Sequence, residues 1–160
     1  MLSDEELEKK ERGRIRYAAF DALARREHSH LELTAKLKRK SDDLHLIQSV
    51  LQELVDEGLQ SDERFAESFV HERIQRGQGP IKIRYELRNK GVTDECIEHA
   101  IAHAECEWAE RAREVLQRKF GLSVAADQKE RQRRLRFLQQ RGFQQDICFK
   151  LVSGNTFDNE

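Results

Sequence analysis

At 160 residues, with 38% apolar and 37% charged residues, the chain has room for one compact domain or a short array of small units, not for one large core. A formal net charge of −1, a single proline and apolar residues at helical spacing exclude a disordered chain of high net charge. No run approaches the roughly 20 apolar residues of a membrane span, the acidic opening MLSDEELEKKERGR is unlike a signal peptide, and Cys96, Cys106 and Cys148 form no C-x-x-C pair, so a cytoplasmic protein with reduced thiols and no membrane partner is expected.

The first predicted helix spans about residues 4 to 26, with a break expected near Gly13. Tyr17, Phe20 and Leu23 form its apolar stripe. Ser29 and Glu32 have the spacing of a capping box and start a second helix over about 29 to 40. A third follows at about 43 to 57 and a fourth at about 62 to 76, the latter carrying Phe65, Phe69 and Ile74. Pro80 suits a first helical position and opens a short fifth helix to about 90. Thr93, ahead of Asp94 and Glu95, starts a sixth over about 94 to 104. The seventh, about 105 to 120, carries Trp108, Val115, Leu116 and Phe120. Asp127 with Glu130 starts the eighth, about 128 to 141, and the ninth covers about 144 to 152. Glycines 58, 77, 91, 121 and 142 sit where left-handed C-terminal caps belong.

These nine helices fall into three aligned triplets. The middle helices read HLELTAKLKRK, PIKIRYELRNKG and RQRRLRFLQQRGF, which superpose Leu37, Leu87 and Leu138, and Lys40, Lys90 and Arg141. From Leu46, Val92 and Phe143, the third helices repeat apolar residues at offsets of 4, 5, 8 and 9. Net charge alternates with the repeat: −3 over 1–11, +6 over 12–40, −7 over 41–63, +4 over 64–91, −6 over 92–110, +7 over 111–141 and −2 over 142–160. A unit of about 45 residues is small for independent stability, so neighbouring units share buried surface. The expected fold is all-α, three tandem three-helix, helix-turn-helix-like repeats in an elongated, curved array: a head at 1–13, repeats at 14–60, 61–104 and 105–152, and a tail at 153–160.

Segregation of basic from acidic segments points to a polyanion or an acidic protein groove as partner, because solubility alone needs only mixed signs. In the second repeat Arg73, Arg76, Lys82, Arg84, Arg88 and Lys90 mark the candidate contact face, and in the third Arg131, Arg133, Arg134, Arg136 and Arg141. With few Asn or Gln to read bases, phosphate contact is expected over base readout, and Tyr85 is the one plausible stacking platform. Catalysis has no motif behind it: there is no phosphate-binding G-x-x-x-x-G-K-[ST] and no H-E-x-x-H. Cys96, His99, His103 and Cys106 spread over about 15 Å of one helix, too far for one metal. No cofactor, metal site or catalytic residue is expected.

The run GLQSDERFAESFVHERIQRGQGPIKIRYELRNKGV, Gly58 to Val92, resembles the central repeat of the bacterial RecX family, regulators of the RecA recombinase. The matching features are Ser61-Asp62, Arg64-Phe65-Ala66, Phe69-Val70, Arg73, Gly77, Gly79, Ile83, Leu87 and Lys90-Gly91-Val92. RKFG, Arg118 to Gly121, and RFLQQRGF, Arg136 to Phe143, are similar to that family's last repeat, and LARREHSHLEL, Leu23 to Leu33, extends the likeness to about residues 14 to 152. The resemblance implies a non-enzymatic modulator that binds in the groove of the RecA–DNA filament and suppresses its extension, ATP hydrolysis, strand exchange and SOS coprotease role. A monomer with weak affinity for single- and double-stranded DNA is expected, and the alternative is a direct DNA-binding module that acts by occupying strands.

Overall fold

The computed structural model describes residues 1–154; most of the expected tail from 153 lies outside them. All regular structure among the described residues is helical: α1 Asp4–Arg25, α2 His30–Leu37, α3 Leu44–Asp56, α4 Asp62–Gln75, α5 Pro80–Asn89, α6 Asp94–His103, α7 Trp108–Phe120, α8 Gln128–Gln140 and α9 Gln145–Val152. None of these helices is long and apolar enough to cross a membrane.

Capping explains most of the helix starts. Ser29 and Glu32 form a reciprocal capping box on α2, as do Ser3 and Glu6 on α1. Thr93 and Asp127 accept the N–H groups of Cys96 and Glu130. The five cap glycines all have positive φ.

Three boundaries differ from expectation. α1 runs unbroken through Gly13, because one glycine in a long helix weakens it without ending it. α2 stops at Leu37 instead of continuing to 40, its last residues forming a turn. α7 starts at Trp108, not near 105, because Glu105 adopts φ 49 and turns the chain before a new helix can form.

The extensive helix packing lies within triplets, α1 on α2 and α3, α4 on α5 and α6, and α7 on α8 and α9, while Trp108 of α7 also packs against the second core. Each triplet has its own core. Leu33, Leu37, Ile47 and Leu51 centre the first, Ile83, Leu87 and Ile97 the second, and Leu138, Phe143 and Cys148 the third. The α1 stripe is corrected at two of its three residues, since Leu23 packs against the core as expected. Ile15, Ala19 and Ala22 face the core, while Tyr17 and Phe20 are 73% and 52% exposed. Alanines let α3 approach closely, and the aromatic residues, one or two positions off that stripe, are turned outward.

The units meet through a turn and a helix start. In the α8–α9 turn the Arg141 and Gly142 carbonyls accept the N–H groups of Gly79 (2.7 Å) and Ile81 (3.0 Å), at the free N-terminus of α5. A Cβ on Gly142 would run into Lys82, one on Gly79 would run into Gly142, and Gly142 holds φ +90. Only glycine fits that turn. The α5–α6 turn repeats the arrangement one unit earlier, where a Cβ on Gly91 would lie 2.8 Å from Leu31 Cβ at the start of α2.

Leu87→Ala is expected to cost about 2–5 kcal/mol through a core cavity, whereas Tyr17→Ala stays within about 0.5 kcal/mol; urea denaturation of the two variants measures both. Gly142→Ala is expected to destabilise by more than about 1 kcal/mol and to lower the melting temperature, because strain and collision act together.

Candidate partner-binding face

The second unit's cations stand at the expected positions, but most are engaged by carboxylates of the same chain. Arg84 grips Glu98 with two hydrogen bonds, 2.6 and 3.1 Å. This bond, with the guanidinium charge, holds the Glu98 carboxyl below its ordinary range. Arg88 donates to Asp94 at 2.7 Å, and Arg76 pairs with Glu72 at 2.6 Å. Arg73 is only half exposed: it lies 4.5 Å over the Phe69 ring and 3.6 Å from Glu86. Lys90 reaches Glu32 of the first unit at 3.6 Å. Lys82 alone of the six has no carboxylate partner among the described residues.

In the third unit the balance is reversed. Arg131 and Arg136 are exposed with no carboxylate partner among the described residues. Arg133, its side chain 65% exposed, has Glu130 at 3.6 Å and lies 5.5 Å over the Phe120 ring. Arg141 donates to the Arg76 carbonyl at 3.1 Å and lies 5.3 Å over Phe137. Arg134 departs from the expected exposure. It is buried, donates to the Ser123 carbonyl at 2.8 Å and pairs with Glu130 at 3.3 Å, which pins the loop before α8. Being three and four residues before the half-buried Phe137 and the buried Leu138, it falls on the inner edge of α8, a placement the run of arginines conceals.

Three further cations went unmarked in the sequence because α7 reads as a core helix. Arg118 and Lys119 are exposed in its last turn and have no carboxylate partner among the described residues. Arg111 donates to the Ile74 and Gln75 carbonyls, 3.1 and 3.2 Å, and so caps the C-terminal end of α4 from the next unit. Aligning α7 with α4 would have found one of them, since Lys119 stands 46 residues after Arg73, whereas Arg118 and Arg111 stand 46 after Glu72 and Phe65.

Where the first and second units meet, Glu32 binds Arg26 (2.9 Å) and Lys90 and accepts the Ser29 N–H (3.2 Å). Burial opposes its ionisation, but the Arg26 hydrogen bond, the Ser29 N–H and both cations outweigh it and hold its carboxyl below the ordinary range. Across the same junction Asp62 accepts the His30 N–H at 2.8 Å and Arg64 donates to Glu27 at 3.0 Å, while Gln60, at the end of the first unit, donates to the His28 carbonyl at 3.2 Å. His28 is buried, which lowers its pKa, and its Nδ1 meets the Arg26 carbonyl at 3.0 Å.

Among the described residues no three His, Cys, Asp or Glu side chains are placed to hold a metal ion. His99 and His103 stack at 6.4 Å on the α6 surface. Burial pushes the Cys148 thiol up to about 11, which makes it a core side chain and not a nucleophile.

Comparison with known proteins agrees with this architecture. A family model of the second three-helix domain of RecX matches residues 61–101, and that of the third matches residues 105–152. The Regulatory protein RecX of Halorhodospira halophila is 47% identical over 146 residues, 91% of each chain. The chain belongs to the RecX family. A RecX regulatory protein from Pseudomonas savastanoi pv. phaseolicola is 42% identical over 91% of this chain and 94% of its own. The crystal structure of RecX from Lactobacillus salivarius shares the fold, with a TM-score of 0.75 at 21% identity over 91% of this chain and 97% of that one. A second RecX crystal structure gives a TM-score of 0.76 at 20% identity over 97% and 79%. Membership of a family of regulatory proteins makes this RecX-type chain a regulator.

Both junction groups lose stability on acidification. The Glu32 carboxyl titrates below its ordinary 4.5 in the folded chain, so its contribution is complete above that value and is lost as pH falls through the folded value. His28 titrates below its ordinary 6.5, so the unfolded chain protonates first and stability declines as pH falls below 6.5. Urea midpoints at pH 7.5, 5.5 and 4 are expected to fall in that order, and Glu32→Gln should flatten the part of the decline below pH 4.5.

Proposed function

We propose that this protein is a non-enzymatic regulator of recombination and DNA repair that lies in the groove of the RecA–DNA filament. There it lowers filament extension, ATP hydrolysis, strand exchange and the coprotease activity of the SOS response, as a cytoplasmic monomer. RecX family membership supports the recombinase as partner. The repeat units proposed at 14–60, 61–104 and 105–152 would place similar surfaces at intervals along a repetitive filament, where several weak contacts add by effective concentration.

The observation that carries this reading is the distribution of unpaired cations. Among the described residues Lys36, Lys38, Arg39 and Lys40 of the first unit, Lys82 of the second, and Arg118, Lys119, Lys129, Arg131 and Arg136 of the third have no carboxylate partner. They are ready to meet an anionic or acidic surface without first breaking a contact. The paired cations of the second unit form an adaptable reserve, since exposed ion pairs contribute only about 0–1 kcal/mol each and a partner can exchange them. Arg84 and Arg88 thus belong to the contact face only where the partner displaces Glu98 and Asp94.

A second reading, direct occupation of DNA, is favoured by the same third-unit cations. It predicts binding to naked duplex with a log–log salt slope of about −0.9 per phosphate contact. Titrating the protein into RecA ATPase on single-stranded DNA at two DNA concentrations separates the two. Inhibition at amounts well below the recombinase and insensitive to added DNA is expected; inhibition relieved by DNA would replace the filament reading with strand occupation. In the same assay Lys82→Ala/Arg131→Ala/Arg136→Ala is expected to weaken inhibition about tenfold, with helical content unchanged, and Arg84→Ala/Arg88→Ala to weaken it less.

A further inference from the structure

The seams between units enclose two clefts built from equivalent positions. Phe65, Ser68, Phe69, Glu72 and Arg73 line the first, about 280 Å³ between the first and second units. The residues 46 further on, Arg111, Glu114, Val115, Arg118 and Lys119, line the second, about 400 Å³ between the second and third. Lys90 in one becomes Arg141 in the other. The charge does not repeat. Four cations face three carboxylates in the first cleft, whereas five cations face one carboxylate, Glu114, in the second.

That lone carboxylate is engaged by Arg111 at 2.8 Å, and Arg111 is itself fixed on the Ile74 and Gln75 carbonyls. Arg118 and Lys119 therefore face the cleft with no carboxylate partner among the described residues. Arg141 gives one N–H to the Arg76 carbonyl and is held over Phe137, which leaves its remaining donors for a ligand. Phe137 meets Phe120 edge-on at 5.4 Å, and Arg133 lies over Phe120, so the cation row continues from the cleft along α8 on an aromatic support.

We propose that the cleft between the second and third units is a phosphate-binding site, in which a multiply charged phosphate is held between Arg76 of one unit and Arg118, Lys119 and Arg141 of the other. The positive charge exceeds what one carboxylate would neutralise. Guanidinium forks and an ammonium on opposite walls match a group that presents oxygens on several sides. Because the walls belong to different units, the bound phosphate ties them together. Its source is either a free polyphosphate or the backbone of a nucleic-acid strand.

The full chain is titrated at low salt with sodium tripolyphosphate, with a ten-residue oligothymidylate and with an acidic glutamate peptide, by calorimetry or fluorescence anisotropy. At least one phosphate probe is expected to bind, with affinity reduced at least tenfold in Arg118→Glu/Lys119→Glu and raised about two- to threefold in Glu72→Gln, which releases Arg76. Lys38→Glu/Arg39→Glu, the same charge change on the first unit, should alter it by less than twofold, and circular dichroism confirms that each variant folds. Tripolyphosphate binding supports the site with a free polyphosphate as source; oligothymidylate binding alone supports it with a strand as source. Failure of both probes, indifference of binding to Arg118→Glu/Lys119→Glu, an equal loss in Lys38→Glu/Arg39→Glu, or equal affinity for the peptide would overturn the proposal. The assay contains no recombinase, so its failure leaves the filament reading standing.

Discussion

Every helix pair that packs extensively lies inside one triplet, and the contact that recurs at both junctions is a glycine turn of one unit seated on the first residues of the preceding unit's short helix. The seat answers a physical demand, because the start of a helix leaves N–H groups without partners. At α5, whose N-cap Gly79 has no side chain to offer, the Arg141 and Gly142 carbonyls supply the acceptors. At α2, where Ser29 caps the helix itself, Asp62 takes the His30 N–H instead. Glycine is needed where the backbones touch. The separation of the cores and the position of the interfacial clefts both follow from that seat.

Charge is organised on the same plan. In the first two units the acidic third helix neutralises some of its basic neighbours: Arg16 meets Glu53 and Glu57 at α3 and its C-cap, and Arg84 and Arg88 meet Glu98 and Asp94 across α5 and α6. The third unit has a basic α7 and α8 but only Asp146 in α9. Its paired cations use carboxylates of α7 and α8 themselves, Glu110, Glu114 and Glu130, while Arg118, Lys119, Arg131 and Arg136 have no carboxylate partner among the described residues. Part of the alternation in the sequence is internal complementarity, and the cations it leaves over are where a partner's charge is called for.

The junctions also bear on how the array moves. Between the first and second units, contact consists of a few hydrogen bonds and ion pairs, including the half-buried Glu32 cluster. Between the second and third it adds main-chain bonds and two arginines, Arg111 and Arg141, that cap α4. Interfaces this small adjust more readily than the cores they connect. A ligand that touches both sides of a seam acts on the geometry of the array without disturbing any unit's fold.

Helix number, order and most ends were legible in the chain itself, because capping residues, proline at a first turn and glycine at positive φ act over three or four residues. Ser29 with Glu32, Thr93 and Gly91 each did what its local chemistry required. The repeat was legible too, in Leu37, Leu87 and Leu138, since all three are buried at equivalent places. Which face of α1 turned inward was not: Ile15, Ala19 and Ala22 gave a weaker apolar signal than Tyr17 and Phe20, and only the approach of α3 chose between them. Nor could the run of arginines show that Arg134 is buried and Arg84 engaged while Arg118 and Lys119 face an open cleft. Local order is written by neighbours along the chain, but whether a charge is free depends on what another helix brings within about 4 Å, and tertiary structure alone decides that.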